Sequence, residues 1–127
     1  MNIAEAIEIA EKILPGKEAP ENELDLRWQA IIAIGEFVQE EPEAVWSFVK
    51  RWGQHPNQDL RRAIATCLLE HLLEHHFEKI FPRVERLARE NRLFAETVGM
   101  CWLFGQAEHK RNADRLKRLV EETRKAT

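Results

Sequence analysis

The chain repeats itself, and the period of that repeat restricts its fold more tightly than any local propensity. Asp25-Leu26-Arg27 returns 34 residues later as Asp59-Leu60-Arg61. At the same shift Ala30 aligns with Ile64, Ala33 with Cys67, Ile34 with Leu68 and Glu36 with Glu70. Downstream, Glu43-Ala44-Val45-Trp46 aligns with Glu78-Lys79-Ile80-Phe81 at a shift of 35, followed by Val49 with Val84 and Trp52 with Leu87. A third copy follows after another 34 residues: Leu60 aligns with Phe94, Ile64 with Val98, Cys67 with Cys101 and Leu68 with Trp102. A period of this size with two helices per unit is the signature of stacked helix pairs, an α-solenoid, because one pair cannot bury its apolar face alone.

The apolar spacing places the helices. Asn2 is an N-cap, and Ile3, Ala6, Ile7, Ala10, Ile13 and Leu14 form a stripe that Pro15-Gly16 ends. A second helix is expected from about Asn22 to Glu40, apolar on nearly every side and therefore sandwiched. Pro42 sits in the first turn of the third, where its missing N–H costs nothing, and Gly53 stops it. A fourth is expected at about 58–75 and a fifth at about 77–90, with Pro82 kinking it or marking its true start. A sixth is expected at about 93–105. A seventh at about 107–124 has the thin apolar stripe of a capping helix. At 127 residues, 44% hydrophobic and 32% charged, the chain is one domain and not a disordered one.

No apolar run approaches the roughly 18 residues that span a bilayer, and the acidic N-terminus does not read as a signal peptide. Cys67 and Cys101 stand in apolar helical contexts, which argues against a disulfide framework and fits a reducing, cytoplasmic location. Charge is uneven. Residues 1–44 carry 11 acids and 3 bases, whereas residues 45–127 carry 11 acids and 16 bases. An anionic partner for the C-terminal part is compatible with that asymmetry, as is a solvated surface with an acidic N-terminal cap.

The segment Asp25-Leu26-Arg27-x-x-Ala30-x-x-Ala33-Ile34-Gly35 resembles the second helix of a HEAT repeat. The resemblance spans most of residues 23–105. It implies a right-handed α–α superhelix of about three helix pairs plus a capping helix, about seven helices, over a single domain of residues 1–127. It also implies a ladder of Asp and Arg between repeats. A narrower resemblance, Phe48-Val49-Lys50-Arg51-Trp52-Gly53-x-x-Pro56-Asn57-x-x-Leu60-Arg61-Arg62-Ala63, is to HEAT-like bacterial DNA-alkylation-repair proteins. It implies a basic face that would set Lys50, Arg51, Arg61 and Arg62 against phosphates. Asp59 reads as a ladder acid or helix cap, not as a catalytic residue.

Other constellations carry less chemistry. His71-Leu72-Leu73-Glu74-His75 reads H-x-x-E-H, with His71 and His75 at the i, i+4 spacing of two zinc ligands and Cys67 one turn earlier. It lacks a third ligand on a second helix, so no metal and no cofactor is expected. The alternative is a His pair at a helix C-terminus, where the dipole favours it. Arg83, Arg86, Arg89 and Arg92 recur every third residue among glutamates, which suits either phosphates or a solvated helix face. Trp28, Trp46, Trp52 and Trp102 lie on apolar stripes. Most are expected in the core, and Trp52, beside the Gly53 turn, is the expected exposed anchor for a partner. With no nucleophile–base pair and no phosphate loop, the leading expectation is a non-enzymatic module whose groove binds a protein or peptide. The alternative is a DNA-binding or DNA-alkylation-repair-like protein.

Overall fold

Asn2 opens the first helix as its position predicts. Its Oδ1 accepts the Glu5 amide at 2.8 Å, and α1 runs Ile3–Ile13. The structure, a computed structural model, describes residues 1–126 and contains no strand among them. The remaining elements are α2 (Leu26–Gly35), α3 (Pro42–Trp52), α4 (Gln58–Ile64), α5 (Glu70–His75), α6 (Phe77–Glu90), α7 (Arg92–Gly99) and α8 (Lys110–Lys125). A π-helical segment, Ala65–Leu69, fuses α4 and α5 into one rod, and a 3-10 turn, Gly105–Glu108, precedes α8. Counting that rod once, the described residues form the seven helices that the periodicity predicts. None is long and apolar enough to cross a membrane.

The caps repeat with the sequence. Asp25, Asn57 and Asn91 each precede a helix and accept a backbone N–H two or three residues on, satisfying donors that the first turn leaves open. Asn57 caps α4, which leaves Asp59 free for another partner.

The helices form two rows. In one, α2, the α4–α5 rod and α7 lie side by side. In the other, α1, α3, α6 and α8 pack on them. Between the rows lies the core, with Ile31, Ile34, Leu60, Ile64, Leu68 and Phe94 buried. Trp46 of α3 meets Phe94 of α7 edge to face at 6.0 Å, and Phe77 stacks on Phe81 at 5.0 Å. Each large apolar side chain so buried contributes roughly 1.5–3 kcal/mol.

Ion pairs lace each seam of both rows. Arg27, buried in α2, takes Asp25 with two nitrogens (3.2 and 2.9 Å) and reaches Asp59 of α4 at 2.8 Å. Trp28 Nε1 donates to the same Asp59 oxygen at 3.1 Å. One repeat later, Arg61 of α4 reaches Glu96 of α7 at 2.8 Å. In the other row Arg51 of α3 pairs with Glu11 of α1. Arg83 and Lys79 of α6 pair with Glu43 of α3. Arg115 and Glu122 of α8 pair with Glu78 and Arg89 of α6.

Three boundaries depart from expectation. Asn22, expected to start the second helix, has φ +70, and α2 begins at Leu26. After Gly35 the amides of Glu36, Phe37 and Val38 turn back to carbonyls three residues earlier, so the helix unwinds before Glu40. α6 keeps its expected range, Phe77–Glu90, with Pro82 inside it rather than at its start. α7 stops at Gly99, six residues before its expected end at Gly105. Beyond it, Glu70 accepts the Trp102 amide.

Candidate functional site

Glu70 is the one buried carboxylate among the described residues, and its Oε1 accepts the Trp102 N–H at 3.0 Å. Burial pushes its pKa up, and the Trp102 amide and His71 oppose that shift. Glu70 takes this amide where Trp102 has left the helical pattern, and residues 101–104 show the alternating exposure of an extended chain. An extended chain alternates its side chains. Cys101 and Leu103 pack against the core, while Trp102 and Phe104 face outward, with Trp102 71% exposed. A helix continued to Gly105 would have given a different pattern, which is why the aligned position Leu68 misled the sequence reading into a buried Trp102.

Phe104 stacks on His71, ring centroids 6.0 Å apart and planes within 10°. His71 in turn lines a groove of about 430 Å³ between α2 and the α4–α5 rod, with Ile32, Glu36, Thr66, Cys67 and His75. Gly35 forms its floor, where a Cβ would stand 3.0 Å from the Cys67 carbonyl. The π segment, Ala65–Leu69, flanks the groove; such segments change the facing of the residues beyond them and recur at functional sites. Ile32 in the groove lining and Phe104, stacked on His71, are thus exposed apolar side chains at this groove, and Trp102 is exposed two residues before Phe104.

The two histidines are organised by carboxylates. His71 Nδ1 lies 2.8 Å from Glu74 Oε1, and His75 Nε2 lies 3.5 Å from the same oxygen. No group of three or more His, Cys, Asp or Glu among the described residues is arranged to hold a metal ion. The pair is therefore engaged within its own helix end.

The remaining expected site residues do not converge. Trp52, expected to be exposed, is 8% exposed. The chain turns at Gly53 so that the His55 ring lies 5.9 Å from the indole, and the Arg51 guanidinium covers it at 5.0 Å. Arg61, expected on a phosphate-binding face, is 3% exposed and donates to the His55 and Pro56 carbonyls as well as to Glu96. It is a structural guanidinium, because its ladder position points it between α4 and α7. Arg51 is held by Glu11 on α1. Lys50 is exposed and lines a shallow groove with Arg83 and Arg86. Arg62 is exposed on α4. The α6 arginines at 83 and 89 are engaged by Glu43, Glu85 and Glu122.

Two residues that the motif reading passed over hold the site's supports. Gln106 Oε1 accepts the Phe77 amide at 2.8 Å, and its Nε2 donates to the His75 carbonyl at 2.9 Å, joining the end of α5 to the start of α6. Gly105, at φ +52, packs so closely that a Cβ would lie 2.9 Å from the Glu74 carbonyl oxygen. The Gly-Gln dipeptide before a helical stretch was the only signal for them.

The fold and site together define an all-helical domain with ion-paired helix seams and a groove at which Phe104 is exposed. The chain belongs to a family of unknown function, DUF6869, whose family model matches residues 16–124. No curated protein and no solved structure matches it.

Proposed function

We propose that the chain is a non-enzymatic, HEAT-like solenoid module that binds a protein or peptide partner through the groove at Ile32 and Phe104 and the exposed Trp102. The observation that carries this reading is the exposed Trp102, fixed by the Glu70–amide bond rather than free on a loop. An exposed indole on an anchored backbone is the kind of side chain that dominates interface energetics. The Arg27–Asp59 and Arg61–Glu96 seams support the solenoid part of the reading, since their arginines recur with the sequence period. A cytoplasmic setting agrees with two thiols that are both unpaired.

The test is parallel capture from the native cell with wild-type, Trp102→Ala and Lys125→Ala proteins, partners identified by cross-linking. Partners common to wild type and Lys125→Ala and lost with Trp102→Ala support the reading. A partner set indifferent to Trp102 refutes it. The nucleic-acid reading keeps one specific support, the Lys50–Arg86 groove, together with exposed Arg62. Fluorescence anisotropy with duplex DNA decides it. Salt-sensitive binding lost in a Lys50→Glu/Arg86→Glu variant would favour it, and no binding at low salt would remove it.

A further inference from the structure

The three copies of one repeat position differ sharply in burial. Leu60 and Phe94 are 1% and 0% exposed, whereas Leu26, at the same position of the first copy, is 62% exposed. Phe94 is covered by Trp46 of α3, which lies three helical rods earlier in the chain. Leu26 is thus the one exposed copy of this position, and Leu24 beside it is equally exposed.

The opposite end of the array carries the complement. A groove between α7, the extended segment and α8 is lined by Val98, Leu103, Leu116 and Val120 together with Lys117, Glu121 and Arg124. α8 carries 7 bases against 3 acids, while residues 1–44 carry 11 acids against 3 bases. The exposed leucines thus lie in the part of the chain with an excess of acids, and the groove lies on a helix with an excess of bases. Like-charged ends would repel, and these attract.

We propose that a second copy of this chain docks head to tail, the α7–α8 end of one copy covering Leu26 and the acidic α1–α2 end of the next. Such an interface joins two different surfaces and leaves one of each free at the ends of any open assembly. It extends the stacking that already buries Leu60 and Phe94, and it leaves Trp102, on the other side of the extended segment, available.

Sedimentation equilibrium over a wide concentration range tests it, at low and high salt, with Leu26→Asp and Lys117→Glu/Arg118→Glu variants. The expected results are an average mass that rises with concentration and falls with salt, and monomers for each variant alone. An equimolar mixture of the two variants is expected to give dimers and nothing larger, because each retains one intact end. Wild type that stays monomeric throughout overturns the proposal. So do a Leu26→Asp variant that associates like wild type and a mixture that stays monomeric, the latter being the mark of a symmetric interface. Leu24→Asp, outside the helix, substitutes for Leu26→Asp should that variant melt early.

Discussion

Asp25 caps a helix and Glu70 lies inside one, and their surroundings pull the two carboxylates in opposite directions. The Arg27 guanidinium holds the Asp25 carboxyl down at about 2, against an ordinary 3.8. A carboxyl whose folded pKa is depressed adds stability above its ordinary value and loses it as pH falls. Thermal melts should therefore fall steeply between pH 4 and about 2, and Asp25→Asn should flatten that fall while lowering stability at neutral pH. Glu70 is pushed up by burial, so the folded state favours its protonated form, and its charge costs stability as pH rises past the ordinary 4.5. Glu70→Gln keeps an oxygen to accept the Trp102 amide without the charge. It should melt higher than wild type at pH 7, with the gain vanishing at acid pH. A lower melt at pH 7 would mean that the carboxylate is needed by His71. Burial also pushes the Cys101 thiol up strongly and the Cys67 thiol less. Thiol titration with a disulfide reagent should therefore label Cys67 slowly and Cys101 only on unfolding.

Among the elements, the contact of α2 with the π segment is set by a missing side chain. Gly35 lets the Cys67 carbonyl approach to a distance that a Cβ would crowd at 3.0 Å. Gly35→Val should force the two apart and cost about 2 kcal/mol, read as a lower urea midpoint at unchanged slope. The junction of α5 and α6 depends on a side chain instead. Gln106→Ala leaves the Phe77 amide and the His75 carbonyl without their partners. Because Gln106 is solvent-exposed, the expected loss is about 1–2 kcal/mol, measured the same way.

For the molecule as a whole, the two rows use the same charges in different solvents. Arg27 is buried, and Asp59→Ala would leave it with Asp25 alone while stranding the Trp28 N–H. The expected cost is about 3 kcal/mol. Arg51–Glu11 joins the other row in the open, so Glu11→Ala should cost under about 1 kcal/mol and less still in high salt. Chemical denaturation of both variants at two salt concentrations measures the contrast. Equal losses would mean that burial is not what gives the inner seams their strength.

Helix number, most helix starts and the ladder residues were legible because they depend on neighbours three or four positions away and on a period that the chain repeats. Asn2, Asp25 and Pro42 each act on their own first turn, and Arg27 and Asp59 of the repeated triplet form the seam between α2 and α4. The seam also decided against the phosphate role of Arg61, since a ladder position and an exposed basic position look alike in one dimension. Trp52 and Trp102 exchanged roles for a related reason. Whether an indole is covered depends on what folds over it, here His55 and Arg51 for Trp52, and a carboxylate 32 residues away for Trp102. Local periodicity contains no term for that carboxylate. Glu70 and the backbone amide it accepts are 32 residues apart, and only the packed structure brings the two together.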